Sequence, residues 1–454
     1  MKRCALRSGA PVSNTAPSSL NGIASVNWGA GVLNIKSISG NFLFAAVLAV
    51  AFPTGAQAAP FALTQILDDP TPVGDDRFGG SVAIDGNNVL VGATGSSDPR
   101  TSGLFDGQVH LFNATTGTLQ QTFRNPTPTN NDQFGSSVAI DGNNVLIGAF
   151  RDDTNGLNTG QAHLFDATTG ALLRTFNDPA PAAGAFFGSS VTIDANKVLI
   201  GARSAAGGGA AHLFDATSGA LLRTFSNPST SPTVDNQFGR ATAIDGNNLL
   251  IGANGGAGAA YLYDMTTGAL LQTFSQTLFG NFGGSLSLSG NNVLIGASGD
   301  DTNGLDVGRA FLFDATSGAL LQTFDDPTPT GSDRFGNSVA IFGNNVLIGA
   351  YGDDGSGTDV GQAYLFDLTT GLLLDTFIDP TVTGADSFGI SVAMFGDTVV
   401  IGANGDDVNG TNVGQAYLYA RETGSGTPAS VPGTLAIFGL GLYALGFVRR
   451  RKAI

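Results

Sequence analysis

"FGSSVAIDGNNVLIGA", residues 134–149, decides the fold. Nearly the same string returns at 78–93 and 335–350, and looser copies stand at four other places. A catalytic motif is normally needed once, so a string written seven times reads as architecture. Its apolar runs are short, rich in Val and Ile, and separated by Asp-Gly-Asn-Asn, the composition of two strands joined by a tight hairpin. Phe-Gly pairs fall at 78, 134, 187, 238, 282, 335 and 388, and each opens the same series of four apolar segments. In the second copy these are SSVAID, NNVLIGA, GQAHLFD and ALLRTF, with turn-forming Gly, Asp, Asn and Thr between them. Four short strands in about 50 residues, repeated in tandem, is the pattern of propeller blades.

The count predicts how the ring closes. Seven Phe-Gly, seven Ile-Gly-Ala-type and seven aromatic segments are present, but no LLxTF segment follows AYLYARETG. LTQILDDPTP (63–72) parallels LLQTFDDPTP (320–329), so Leu63–Leu67 is expected to supply the outer strand of the last blade. That pairing would also cover an edge open to other chains. The expected fold is all-β: a seven-bladed β-propeller with four antiparallel strands per blade, the last closed by the N-terminal strand, then a short C-terminal transmembrane helix. Within a blade, VLIGA should be buried on both faces. The Gly of IGA should let blades approach, and the Phe of Phe-Gly should fill the space between them.

Four boundaries follow: a leader over 1–58, the propeller over 59–424, a linker over 425–430 and a sorting tail over 431–454. NFLFAAVLAVAFPTGAQA ends in a small-residue pattern that places cleavage after Ala58, with Ala56 and Ala58 at −3 and −1. The apolar run Leu435 to Val448 is short for a span; Arg449, Arg450, Arg451 and Lys452 would hold that end in the cytoplasm. The middle of the chain carries 12 basic against 36 acidic groups, which excludes nucleic acid as a partner. Cys4 is the only cysteine and falls in the leader, leaving no disulfide.

Phe-Gly followed about 13 residues later by Gly-Ala resembles the FG-GAP repeat, over residues 62–424. That repeat forms the seven-bladed propeller of integrin α-subunits and many bacterial surface proteins. No Pro follows the Gly-Ala here. The calcium loop that integrin-type blades carry between their first two strands has no counterpart in IDGNN or IFGNN, so that site is not carried over. PGTLAIFGLGL followed by RRRK resembles the PEP-CTERM sorting signal, although Ser430, Val431 and Pro432 stand where Pro-Glu-Pro would. The resemblance implies an exosortase-type protease and the membrane as partners of the tail.

A different acidic loop joins the second and third strands. It offers Asp152, Asp153 and Asn155; Asp300, Asp301, Asn303 and Asp306; Asp353, Asp354 and Asp359; and Asp406, Asp407 and Asn409. Hard cations take several oxygen ligands, so these are candidate calcium loops and calcium is the one cofactor suggested, although a full ligand set is absent. The other reading is that Asp and Asn cap their own turns. These loops and the acidic inter-blade loops should share one face and make it strongly negative, unevenly around the ring.

No catalytic residue is assigned: His110, His163 and His212 all occupy one repeat position, where other copies have Tyr or Phe. The expected role is non-catalytic binding or adhesion at the cell envelope or in secreted form. The partner would be exopolysaccharide or a cell-surface protein. A propeller enzyme acting on polysaccharide in the channel and a structural coat component are the alternatives.

Overall fold

Each copy of the opening string folds as two antiparallel strands. In the first copy they are β2 (Phe78–Asp85) and β3 (Asn88–Ala93), followed by β4 (Gln108–Asn113) and β5 (Leu119–Arg124). These pair in sequence order as one four-stranded sheet, blade 1. Blades 2 to 6 repeat the meander as β6–β9 (134–177), β10–β13 (187–226), β14–β17 (238–275), β18–β21 (285–325) and β22–β25 (338–378). Blade 7 is β26 (Phe388–Phe395), β27 (Thr398–Ala403) and β28 (Gln415–Arg421), completed by β1 (Phe61–Asp68). The computed structural model describes residues 59–96, 105–129, 131–229, 236–276 and 280–422. The expected leader, linker and tail lie outside the described residues. Among the described residues no helix is long and apolar enough to cross a membrane.

The expected closing strand is in place and longer than the sequence alone suggested. Leu63 pairs with Tyr419 and Leu67 with Ala416. Around it, the Arg421 guanidinium lies 4.6 Å from the Phe61 ring centroid, and the Phe61 N–H donates to Asp375 Oδ2 of blade 6 at 3.2 Å. A single non-covalent strand thus joins the two ends of the described chain and ties them to the preceding blade.

The core is repeated at each junction. Every second strand is buried along its apolar run, because it is covered by a blade on either side. The Phe of each Phe-Gly is buried; Phe134 meets Phe165 edge to face at 6.2 Å. His163 sits 5.9 Å from Phe134, with Nδ1 3.1 Å from Thr175 Oγ1. The histidine position is therefore an aromatic packing slot, as the repeat suggested. Backbones touch where the Gly of IGA meets the Gly of the next Phe-Gly: a methyl group on Gly402 would overlap the carbonyl oxygen of Gly79. That contact is between blade 7 and blade 1, so the ring closes with the same geometry as its other junctions.

The ends of the strands define two faces. The turn face carries the Asp-Gly-Asn hairpins and the Asp-Ala-Thr-Thr-Gly turns. There Gln121 Nε2 donates to Thr168 O of the next blade at 2.8 Å, and Gln272 Nε2 to Thr316 O at 2.8 Å. The loop face carries the inter-blade loops and the loops after the second strands.

Candidate functional site

The loop face is built by two segments that meet at each junction. Gly184 N donates to Leu157 O at 2.9 Å and Phe187 N to Thr159 O at 2.9 Å, so the inter-blade loop lies along the preceding blade's acidic loop. The two loops share a face, as the meander requires.

The acidic loops use their side chains on themselves. The first Asp of each pair is buried. Asp152 accepts from Thr154 N at 2.8 Å and from Thr127 Oγ1 at 3.1 Å. Asp353 accepts from Gly355 N at 2.7 Å, Gln362 Nε2 at 2.9 Å and Thr328 Oγ1 at 3.2 Å. Asp406 accepts from Val408 N at 2.8 Å and Tyr417 Oη at 2.6 Å. Asp300 accepts from Thr302 N at 2.9 Å and Arg309 Nη2 at 2.8 Å. Burial opposes its ionisation, but Arg309 and Thr302 outweigh it and lower its pKa. The second Asp is exposed and closes the loop across five residues: Asp153 onto Asn158 N at 2.6 Å, Asp301 onto Asp306 N at 2.7 Å, Asp354 onto Asp359 N at 2.8 Å and Asp407 onto Asn412 N at 2.6 Å.

The remaining candidates point elsewhere. Asn155 reaches Asn177 at 2.7 Å, Asn303 reaches Asp325 at 2.9 Å and Asn409 reaches Asp68 at 2.8 Å, all at outer strands. Asp306 pairs with Arg334 of the next blade at 2.9 Å. Each loop thus sends its oxygens in three directions. Among the described residues no group of three or more His, Cys, Asp or Glu side chains is placed to hold a metal ion.

Beneath these loops lies a ring of buried acids that sequence reasoning treated as part of the exposed rim. Asp76, Asp132, Asp333 and Asp386, each two residues before a Phe-Gly, are fully buried, and Asp69, Asp326 and Asp379 nearly so. Thr127 N donates to Asn125 Oδ1 at 3.0 Å while Asn125 Nδ2 donates to Asp132 Oδ2 at 2.7 Å. In blade 6, Thr328 N donates to Asp326 Oδ1 at 2.8 Å in the same way, but Asp326 Oδ2 has no partner. Desolvation, followed by the charges of Asp353 and Asp333, pushes Asp326 up to about 7. Desolvation likewise pushes Asp76 and Asp132 up to about 7. The face is less negative than its acid count, because much of its inner ring is buried and holds protons more tightly. The signal in the sequence was Asn125 standing where four other junctions have Asp: Asp69, Asp178, Asp326 and Asp379.

The solvent-facing positions differ from blade to blade. A recess of about 400 Å3 opens between blades 1 and 2, lined by Asp75, Arg77, Gly95, Phe105, Asn131 and Gln133. Between blades 2 and 3 the Arg203 guanidinium lies 4.8 Å from the Phe150 ring centroid and 5.0 Å from that of Phe186.

Comparison with known families agrees with this geometry. The FG-GAP repeat family matches residues 70–112, 126–165, 280–313, 329–366 and 378–419. These segments fall in blades 1, 2, 5, 6 and 7; blades 3 and 4, whose loops after the second strand carry no acid, are unmatched. No curated protein matches the chain.

Proposed function

We propose that this chain, which carries FG-GAP repeats closed into a seven-bladed propeller, is an exported, non-catalytic binding protein that holds exopolysaccharide or another cell-surface component on its loop face. The observation that carries the reading is the contrast between the two kinds of position. Repeated residues are consumed by strands, junctions and turn caps, whereas the solvent-facing loop residues vary around a rigid ring. Rigid presentation of variable polar and aromatic groups is what recognition of a neutral or charged glycan requires. The cell envelope is the site of action in this reading, on the strength of the leader over 1–58 and the PEP-CTERM-like tail over 431–454, with exosortase-type processing and the membrane as the tail's partners. Calcium enters as a surface cation on the outward Asp153, Asp301, Asp354 and Asp407, bridging protein to glycan.

The test is a glycan array probed with the full chain, run beside a hydrolase panel. Saturable glycan binding without turnover is the expected result. Turnover abolished by substituting one unrepeated residue would overturn the non-catalytic reading. Mass spectrometry of the protein recovered from cells reads both termini, and an uncleaved N-terminus on a cytoplasmic protein would end the export reading. A melting temperature unchanged by chelator would remove calcium.

A further inference from the structure

The loop face carries one sector of opposite character. Between Asp178 and Asp300 the acids among the described residues are Asp194, Asp215, Asp245 and Asp264, and all belong to turns of the other face; Asp235 lies outside the described residues. Asp178 itself is buried, its Oδ1 3.9 Å from His212 Nε2. The loops that replace the acidic ones here are RSAAGGGA and NGGAGA.

Into this sector the fold places two rings and three guanidinium groups. Phe150 follows the second strand of blade 2, and Phe186 precedes the Phe-Gly of blade 3; the rings meet edge to face at 5.7 Å. Arg203 covers both, and Arg151 lies 5.6 Å from Phe150. Both rings are half-buried and Arg151 is exposed. Arg240 stands on the inner strand of blade 4, where blades 2 and 3 have Ser136 and Ser189. It is exposed to solvent at the start of that strand, and desolvation by the surrounding protein lowers its pKa. Among the described residues neither Arg151 nor Arg240 has an ion-pair partner. An uncompensated guanidinium held by a desolvating wall favours an anion.

None of these side chains is required by the architecture. The Phe150 position is Thr94 in blade 1, and the Arg203 position is Asn254 in blade 4 and Asn404 in blade 7. The Phe186 position is Gln133 in blade 2, and in both blades its backbone is left-handed (φ 57° in each), so the side chain changes while its placement is kept.

The geometry points to a binding site for a carboxylate-bearing saccharide, a hexuronate, over blades 2 to 4: Phe150 and Phe186 take the apolar face of a sugar ring, while Arg151, Arg203 and Arg240 take its carboxylates. Ring stacking supplies contact area with little lost rotamer freedom, and the planar guanidinium matches a carboxylate in two-point geometry. The proposal rests on the loop face being the glycan-binding surface, and it names the class of sugar.

The test is titration of the full chain with tetragalacturonate and, separately, with neutral cellotetraose, both in excess chelator so that calcium bridging cannot contribute. Tetragalacturonate binding that weakens with salt, with cellotetraose at least about ten-fold weaker, is expected. The variants follow the protein's own repeats: Phe150→Thr, Arg203→Asn and Arg240→Ser. Arg203→Asn with Arg240→Ser should weaken tetragalacturonate about ten-fold or more, with the thermal melt unchanged. If that pair lowers the melt, Arg151→Gln, an exposed change, serves alone and should weaken binding about three-fold. Equal binding of the two sugars, or uronate binding insensitive to all four substitutions, overturns the proposal. If an array finds neutral glycans bound on the loop face but no uronate, this site falls and the broader binding reading stands; if no glycan of either kind binds, both fall.

Discussion

Replacing Asp326 by Asn should stabilise the propeller at neutral and alkaline pH while changing little in acid. Asn125 occupies the equivalent junction of blade 2, where its Nδ2 donates to Asp132 Oδ2 at 2.7 Å. Asp326 Oδ2 sits at the matching position without a partner, near the buried carboxylates Asp333 and Asp353 and the hydroxyls of Thr328 and Tyr364. The folded state therefore prefers Asp326 protonated, with its pKa raised from 3.8 to about 7. A raised carboxyl pKa gives stability that is complete below the unfolded value and lost as pH climbs from about 4 through about 7. At about 1.4 kcal/mol per pKa unit, the three-unit rise makes this loss about 4 kcal/mol at pH 8, an upper bound because Asp326 titrates beside other buried carboxylates. Asp326→Asn removes the titration and supplies the missing donor. We expect it to recover about 2–4 kcal/mol at pH 8 and about 0 at pH 4. Thermal melts at pH 4, 6 and 8 would show wild type losing stability across that range and the variant losing less. The reverse change, Asn125→Asp, should steepen the loss. An Asp326→Asn variant as pH-sensitive as wild type, or one destabilised equally at pH 4 and 8, would refute this account of Asp326.

Ala195 has φ +52° at the hairpin position where other blades place Gly86, Gly142 or Gly246, so Ala195→Gly should add about 1 kcal/mol, read as a higher melting temperature. Gly402→Ala inserts a methyl group against the Gly79 carbonyl at the closing junction and should cost at least about 1–3 kcal/mol, measured by denaturant unfolding. Burial pushes His163 down to about 4, so its imidazole should stay neutral by NMR at pH 6; its contribution to stability, present above the unfolded value near 6.5, is lost as pH falls toward 4.

The fold was legible because each blade restates it. The Phe-Gly spacing, the alternation within SVAID and the turn chemistry of DGN agree in seven copies, and the missing outer strand could be found by matching LTQIL to LLQTF. Loop chemistry was less legible, because sequence shows that Asp is present without showing which way it points. DDTNG reads equally as cation ligands or as self-capping turns. Only the backbone decides that Asp152 turns inward to Thr127 while Asp153 caps Asn158. The buried ring of Asp76, Asp132, Asp333 and Asp386 was hidden for the same reason: an acid beside Pro, Thr and Gly suggests solvent, yet each is held by its own loop beneath the junction. Arg203, Phe150 and Phe186 were invisible as a unit, since they come from two blades and two different repeat slots.

The residue before each Phe-Gly shows why variation marks the working surface here. Arg77, Gln133, Phe186, Gln237, Asn281, Arg334 and Ser387 all adopt φ between 54° and 61°. That conformation costs a non-glycine residue about 1–2 kcal/mol, and glycine would adopt it freely. Seven blades keep the geometry and none uses glycine there. The backbone shape is needed to turn the chain into the inner strand, and a side chain is retained at that cost although its type changes from basic to aromatic to amide. A position whose geometry is fixed by the fold, and whose chemistry is left free by it, is where a ring of near-identical blades can acquire specificity. On this chain those positions gather on the loop face, beside an outward rim of Asp153, Asp301, Asp354 and Asp407.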